Sequence, residues 1–201
     1  MNMAIQAIAA VILAGGKGRR MQGSDKGLLM LNGRTLIEAV LTGITPQVGH
    51  VLINANRNFK VYKAYGPPVI NDQVSGFLGP LAGIHAAMLS LENHAHYTHL
   101  LSLPCDGPKV ANNYASLMYA ALLQNKIPNE CIVVAHDGER IQPVHALIPL
   151  SLLTSLSTYL AEGGRKVDIW YQQHNMVLAD FSGQKEMFMN VNTPEQLNTL
   201  S

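Results

Sequence analysis

A glycine-rich loop that carries several cations follows the first apolar run of the chain. The sequence VILAGGKGRRM occupies positions 11–21, and Asp25 and Lys26 follow shortly after it. Glycines let an anion approach backbone N–H groups closely, and Lys and Arg side chains supply countercharge. Two of these cations, Arg20 and Lys26, are spaced to flank a triphosphate and to neutralise charge as pyrophosphate departs. The loop therefore predicts a polyphosphate site.

The loop matches neither of two familiar phosphate-binding patterns. The residues from Gly18 onward do not supply a P-loop sequence, and a dinucleotide-binding loop would need a glycine where Met21 stands. A dinucleotide-dependent oxidoreductase also places an acidic residue at the end of its second strand. The candidate, Glu38, lies inside a helical pattern instead. We therefore disfavour that class of enzyme.

An aspartate closes an apolar run in the middle of the chain. The run LLSLPC at positions 100–105 is followed directly by Asp106. A carboxylate at a strand end suits Mg²⁺, which takes oxygen ligands and bridges to substrate phosphates. The alternative is a turn aspartate that bonds to its own backbone near Gly107 and Pro108. Because the cationic loop also indicates a phosphate ligand, we favour Asp106 as a Mg²⁺ ligand.

Apolar runs typical of strands alternate with helical patterns along the chain. The predicted strands span 7–13, 48–54, 68–70, 99–103, 131–135 and 144–148. The predicted helices span 35–44, 80–91, 113–124, 150–161 and 194–200. This alternation predicts an α/β fold with a mostly parallel sheet and helices on both faces.

Polar residues stand where several of the predicted strands end. The first strand runs into Leu13-Ala14-Gly15, the second ends at Asn54, and Asp72 and Asp106 follow the third and fourth. Ligands of such sheets bind beyond the carboxyl ends of the strands, near a topological switch point. We expect these groups to converge at one edge of the sheet, although Asn54 and Asp72 taken singly also fit ordinary turn residues.

The composition indicates one folded domain over residues 1–201. The chain is 48% hydrophobic and 13% charged, and its formal net charge is +1, which argues against a nucleic-acid partner. No apolar run is long enough for a membrane span. The two cysteines lack motif spacing, which favours a reducing cytoplasm.

Several segments of the chain resemble the molybdenum cofactor guanylyltransferase family. The resemblance lies in LAGGKGRRM (13–21), DKG (25–27), NANR (54–57), GPLAG (79–83), PCD (104–106), HDGER (136–140) and NVNTPE (190–195). It runs in order through nearly the whole chain. The glycine loop is shared with the wider nucleotidyltransferase superfamily, and the later segments narrow the resemblance.

The resemblance implies a three-layer Rossmann-like nucleotidyltransferase fold whose N-terminal half binds GTP and whose C-terminal half binds a pterin. The family's enzymes join GMP, taken from GTP, to the terminal phosphate of molybdenum-loaded molybdopterin and release pyrophosphate. The implied nucleotide contacts are Leu13, Ala14, Gly15, Lys26, Asn54, Asp72 and Asp106, with Mg²⁺ on Asp106. The implied pterin-side residues are Asn190 and Asn192. Molybdoenzymes or other cofactor-synthesis proteins are implied as transient partners.

For catalysis itself we expect Arg20, Lys26 and Asp106 to act on the phosphates. Two other functions stay open on the residues alone. A cytidylyl- or sugar-phosphate nucleotidyltransferase would share the loop and Asp106. A carrier of molybdopterin or nucleotide would bind the same ligands without transferring a group.

Overall fold

The computed structural model describes residues 3–16, 25–74, 79–124 and 130–191. Its strands are β1 (Ile8–Leu13), β2 (Met30–Leu31), β3 (Arg34–Thr35), β4 (His50–Asn54), β5 (Val69–Ile70), β6 (His99–Pro104), β7 (Cys131–His136), β8 (Ile141–Pro149) and β9 (Asn175–Asp180). Its α-helices are α1 (Met3–Gln6), α2 (Leu36–Ile44), α3 (Phe59–Lys63), α4 (Pro80–Leu91), α5 (Tyr114–Leu123), α6 (Leu153–Ala161) and α7 (Val167–Tyr171). Short 3₁₀ turns cover Lys26–Leu28, Thr45–Gln47, Leu150–Leu152 and Ser182–Phe188.

Seven of the strands form one sheet in the order β5-β4-β1-β6-β8-β7-β9, and β2 and β3 form a separate hairpin. The pairs β5–β4, β4–β1, β1–β6 and β7–β9 are parallel. Only β8 runs against its neighbours, β6 and β7. The prediction of a mostly parallel α/β sheet is confirmed.

Helices cover both faces of the sheet, because both faces of β1 are apolar. Residues Ile8–Ile12 are fully buried and alternate between the two cores. One core contains Ile12 together with side chains of α2 and α5. The other contains Val11 together with side chains of α4, α6 and α7. The fold therefore has three layers, as expected.

The first half of the chain is wound around a switch point at β1. The chain passes from β1 to β4 and β5 on one side, and then crosses by α4 to β6 on the other side. The connections that leave β1 and β6 therefore run in opposite directions. In an open parallel sheet this arrangement opens a crevice at the carboxyl ends of the two strands. The loop after β1 and the residues after β6 meet there.

Five short elements in the described part of the chain were not predicted: α1, the β2–β3 hairpin, α3, α7 and β9. Strand β9 lies at the edge of the sheet and most of its side chains are exposed, so it carries no continuous apolar run. The predicted helix over 194–200 lies outside the described residues. No helix in the described part of the chain is long and apolar enough to cross a membrane.

Helix α2 begins with a capping box. The Thr35 side chain accepts a hydrogen bond from the Glu38 backbone N–H, and the Glu38 carboxylate accepts from the Thr35 backbone N–H at 2.7 Å. These two bonds satisfy backbone donors that a helix start otherwise leaves open. Glu38 therefore acts as a capping residue, which agrees with the argument against a dinucleotide-binding oxidoreductase.

Histidine 145 on β8 is buried among aromatic rings and makes the fold sensitive to acid. Its ring packs edge-on against Tyr114 and Phe188, with centroids 5.7 and 4.9 Å apart. Burial lowers the pKa of His145 to about 3. A histidine in the unfolded chain takes up a proton near pH 6.5, whereas the buried ring resists it. Below that pH the unfolded state binds more protons, so the protein loses stability as the pH falls.

We expect His145→Phe to reduce this acid sensitivity. In the wild-type chain His145 should account for about 2 kcal/mol of the unfolding free energy lost between pH 7.5 and pH 5. Phenylalanine keeps the edge-on ring packing and removes the titrating group. Urea unfolding at the two pH values measures the difference. The exposed His96→Gln variant is the control and should keep the wild-type loss. An equal loss in His145→Phe would contradict the prediction.

Candidate active site

The loop after β1 and the end of β6 are joined by one ion pair. The Lys26 Nζ atom donates a hydrogen bond to Asp106 Oδ2 at 2.9 Å, across 80 residues of sequence. The two side chains are 27% and 13% exposed, so the pair is mostly buried but still reaches solvent. Next to it, the Cys105 backbone N–H donates to the Leu13 carbonyl oxygen at 3.2 Å. The two segments that were predicted to share a cleft do meet.

The thiol beside Asp106 is not a nucleophile. Burial raises the pKa of Cys105, and the negative charges of Asp106 and Asp25 raise it further. A thiol in this state remains protonated and therefore unreactive. Of these two neighbouring side chains, the Asp106 carboxylate is therefore the candidate for chemistry at the end of β6.

A second carboxylate lies at the same edge, next to the ends of β1 and β4. Asp72 Oδ1 accepts from the Asn54 side-chain amide at 3.0 Å, and Asp72 Oδ2 accepts from the Asn56 amide at 2.7 Å. The Asp72 backbone N–H returns a bond to Asn56 Oδ1 at 3.0 Å. Asn54 and Asp72 are thus brought together as predicted. Asn56 was not assigned a role, because only its contact across 16 residues distinguishes it from a loop asparagine.

Two glycines allow the backbone to approach this network closely. A Cβ atom on Gly15 would lie 2.7 Å from Asn56 Nδ2 and 3.0 Å from Asn54 Oδ1. A Cβ atom on Gly83, in the first turns of α4, would lie 2.4 Å from Asn54 Oδ1. The loop after β1 and helix α4 therefore pack directly against Asn54. The glycines of the LAGG and GPLAG segments therefore allow close packing around Asn54 at the end of β4.

Helix α4 begins at this edge of the sheet. Gly79 precedes it with φ of +67°, a backbone conformation that favours glycine, and Pro80 occupies the first turn. A helix start presents backbone N–H groups and a partial positive charge. The GPLAG segment is therefore suited to lie near an anionic ligand, in addition to its packing role.

A third carboxylate, Asp25, stands immediately before Lys26 and is buried. Its side chain is 4% exposed. Oδ1 accepts from the Tyr62 hydroxyl at 2.5 Å, and Oδ2 accepts from the Asn58 side-chain amide at 3.0 Å. The Arg57 Nε atom lies 3.5 Å from Oδ2. Sequence reasoning did not find these partners, because nothing in the local pattern links Asp25 to residues more than thirty positions later.

The C-terminal part of the described chain returns to Asp106. The Val191 backbone N–H donates to the Asp106 carbonyl oxygen at 2.9 Å, and a Cβ atom on Gly107 would lie 3.5 Å from Asn190 Oδ1. Asn190 therefore lies beside the Asp106–Gly107 turn, and its role at the site stays a prediction. Asn192 and Arg20 lie outside the described residues.

The HDGER segment forms the tight turn between β7 and β8. Asp137 Oδ1 accepts backbone bonds from Glu139 and Arg140, each at 2.8 Å, and Oδ2 accepts from the Gln142 side chain at 2.6 Å. These bonds, the Arg140 one first, lower the pKa of Asp137 to about 2. Gly138 has φ of +94°, which favours glycine. The turn is thus rigid and stands at the same sheet edge as Asp106.

The described residues contain no group of three His, Cys, Asp or Glu side chains that would hold a metal by itself. Any Mg²⁺ at Asp106 would therefore take most of its ligands from substrate phosphates and water. This is the usual mode of Mg²⁺ binding, with one or two protein carboxylates. A partly exposed carboxylate at a strand end fits that mode.

Comparison with known proteins agrees with the geometry. The chain matches the family described as MobA-like NTP transferase domain over residues 10–177. A molybdenum cofactor guanylyltransferase from Shewanella piezotolerans is 47% identical over 194 residues, which cover 96% of this chain and 92% of that protein. One from Shewanella loihica is 45% identical over 96% of this chain and 95% of its own length.

Solved structures show the same fold. Molybdopterin-guanine dinucleotide biosynthesis protein A from Archaeoglobus fulgidus superposes with a TM-score of 0.75 at 25% identity, over 96% of each chain. The 4-diphosphocytidyl-2C-methyl-D-erythritol synthase from Anaerococcus prevotii gives a TM-score of 0.70 at 13% identity, over 96% of this chain and 95% of that one. At that identity the second likeness concerns the fold alone.

Proposed function

This chain belongs to the MobA-like NTP transferase family, among the molybdenum cofactor guanylyltransferases, and on that premise we propose the reaction that it catalyses. The enzyme transfers GMP from GTP to the terminal phosphate of molybdenum-loaded molybdopterin. The products are the molybdopterin guanine dinucleotide cofactor and pyrophosphate.

The observation that carries this proposal is the ion pair between Lys26 and Asp106. It brings a cation of the glycine-loop region and a carboxylate of the β6 end together in one crevice. A site for a nucleoside triphosphate requires groups of both charges. Cations contact the phosphate oxygens, and a carboxylate binds the metal ion that accompanies them. The crevice lies at the switch point of the sheet, where open α/β sheets bind ligands.

In the proposed reaction a phosphate oxygen of the pterin substrate attacks the α-phosphorus of GTP in line with the leaving group. A new P–O bond forms to the pterin phosphate as the bond from the α-phosphorus to the bridging oxygen breaks. The electron pair leaves with pyrophosphate. The attacking oxygen is already negatively charged, so no general base is required. Lys26 and Arg20 stabilise the charge that develops on the transferring and leaving groups.

We assign Mg²⁺ to Asp106 within this scheme. When bound there, the ion would neutralise negative charge on the triphosphate and help to hold it for the attack. Asp106 is the residue that would hold the ion, and Lys26 donates a hydrogen bond to the same carboxylate.

The remaining site residues divide between the two substrates. We assign Leu13, Ala14 and Gly15 to the nucleotide, since their backbone forms the start of the glycine loop. Asn54 and Asp72 are assigned to the same ligand, and the hydrogen bond between them supports this because it holds both side chains in fixed orientations. Asn190 and Asn192 are assigned to the pterin, and the position of Asn190 beside Gly107 supports the assignment.

We place the reaction in the cytoplasm. Cys105 and Cys131 are free thiols in the fold, which suits a reducing compartment. The product cofactor would then pass to molybdoenzymes, the transient partners that the reaction implies.

A product assay tests the proposal. The purified protein, supplied with molybdenum-loaded molybdopterin, Mg²⁺ and GTP, should release pyrophosphate and form the dinucleotide. CTP, ATP and UTP should react at least about tenfold more slowly, because a site that hydrogen-bonds one base rejects others. A preference for CTP would favour a cytidylyltransferase. Binding of GTP without pyrophosphate release would favour a carrier.

In the same assay, Lys26→Ala should lower turnover by about 10² to 10³-fold, the usual cost of removing a charge-stabilising donor. The side chain is part-buried, so its loss should also cost about 1 kcal/mol of unfolding free energy. Lys109→Ala is the matched control, because Lys109 bonds to Glu186 at 2.7 Å on the surface and should leave turnover unchanged. Near-normal turnover in Lys26→Ala would remove Lys26 from the mechanism.

Asp106→Asn should abolish the part of GTP affinity that depends on Mg²⁺. The amide keeps the shape of the side chain but loses the charge that a hard cation requires. Calorimetric titration of GTP with Mg²⁺ and with EDTA measures that part, and the two titrations should coincide in the variant. Glu186→Gln serves as the control carboxylate and should keep the wild-type difference between them. A wild-type difference in Asp106→Asn would reject the metal assignment.

A further inference from the structure

We propose that Arg57, Asn58 and Tyr62 form a clamp on Asp25 and Gly16 that positions Lys26 for the transfer reaction. The expected effect on turnover rests on the proposed function. The clamp itself rests on hydrogen bonds and close contacts within the fold. None of the three residues needs to touch a substrate. They are positioning residues, which act through the backbone on either side of Lys26.

The clamp begins with the burial of the Asp25 carboxylate. A buried carboxylate is costly unless hydrogen bonds and countercharge replace the lost water. Tyr62, Asn58 and Arg57 supply these from the segment that follows β4, with the tyrosine on one carboxylate oxygen and the other two on the second. Burial raises the pKa of Tyr62, and the bond to Asp25 raises it further. The hydroxyl therefore keeps its proton and acts as a donor.

The backbone at Asn58 allows these side chains to converge. Asn58 has φ of +54°, in the left-handed region that asparagine tolerates better than most residues. Its carbonyl oxygen accepts from the backbone N–H groups of Val61 and Tyr62 at 2.9 and 3.1 Å, which starts α3. The same turn thus fixes both Asn58 and Tyr62 on the side that faces Asp25.

Tyr62 also fixes the residue after Lys26. A Cβ atom on Gly27 would lie 2.6 Å from the Tyr62 hydroxyl oxygen, so the backbone passes directly over that hydroxyl. Lys26 opens a 3₁₀ turn, and the Leu28 backbone N–H donates to the Asp25 carbonyl oxygen at 3.1 Å. Lys26 is therefore held between two neighbours that both contact Tyr62.

Arg57 connects this arrangement to the glycine loop. Its Nη2 atom donates to the Gly16 carbonyl oxygen at 3.4 Å, while its Nε atom lies 3.5 Å from Asp25 Oδ2. One guanidinium therefore contacts both the backbone that follows β1 and the carboxylate that precedes Lys26. The distance between these two parts of the site is set by a single rigid, planar group.

The consequence concerns the direction of the Lys26 side chain. A lysine has a long flexible stem, and an ammonium that is misplaced by about 1 Å can lose much of its catalytic effect. With Asp25 and Gly27 fixed, the stem leaves a defined point and reaches Asp106 at 2.9 Å. Loss of the clamp should release the lysine without removing it.

A double-mutant cycle with Tyr62→Phe tests the clamp. Phenylalanine keeps the buried ring and removes only the hydroxyl, so we expect turnover to fall about tenfold with the KM for GTP changed less than about threefold. In the Tyr62→Phe background, Lys26→Ala should cost at least about tenfold less than in the wild type. Tyr65→Phe is the matched control, because its hydroxyl contacts Thr35 and not Asp25. Independent, multiplicative effects of the Tyr62 and Lys26 substitutions would overturn the proposal.

A labelling experiment gives a readout that needs no turnover. Brief treatment with acetic anhydride and peptide mass spectrometry measures how far Asp106 shields the Lys26 amine. Tyr62→Phe should raise Lys26 labelling several-fold relative to the exposed Lys63, and Tyr65→Phe should not. Unchanged Lys26 labelling in Tyr62→Phe would overturn the clamp. If Tyr62→Phe raises Lys26 labelling as expected but the wild-type protein transfers no GMP, the clamp is supported and the proposed function is contradicted.

Discussion

Strand β1 is bonded on both sides by parallel strands and buried on both faces, and the rest of the molecule follows from that constraint. A strand in this position has no room for polar side chains. Residues that bind a ligand can therefore lie only beyond its end. Its neighbours β4 and β6 run in the same direction, and their polar residues therefore emerge beside its own glycine loop. Because connections leave β1 and β6 in opposite directions, a crevice opens between those two strand ends. The candidate site therefore lies beyond the carboxyl ends of these strands.

The carboxylates of Asp25, Asp72 and Asp106 lie around this crevice and have different kinds of hydrogen-bond partner. Amide groups hold Asp72, and Asp25 is held mainly by a hydroxyl and an amide, donors from short or rigid side chains that fix a carboxylate in one orientation. Asp106 is held instead by a lysine, whose flexible stem can transfer its ammonium to a phosphate oxygen. A carboxylate whose partner can move is available to a metal ion. Asp25 and Asp72 are therefore held in fixed orientations, whereas Asp106 has a partner with a flexible stem, as its proposed metal-binding role requires.

Sequence reasoning found the parts of the molecule whose signals are local. The buried strands β1, β4, β6 and β7 are continuous apolar runs, and the switch-point rule then placed Asn54, Asp72 and Asp106 at one edge. It missed β9, whose exposed edge position removes the apolar pattern, and the hairpin β2–β3, whose two-residue strands carry no periodicity. Within the site it missed Asn56, Arg57 and Tyr62. Their partners are distant in sequence, and such contacts leave no trace in composition or spacing.

The central place of β1 in the sheet also has a cost during synthesis on the ribosome. Its partner β4 follows it closely along the chain, but β6 begins only at His99. At elongation rates of about 5 to 20 residues per second, β6 follows β1 out of the exit tunnel by roughly 4 to 17 s. During that interval a fully apolar strand presents one unpaired edge, the kind of edge that other nascent chains pair with. Early pairing with β4 therefore protects only one edge of β1 until β6 has been made.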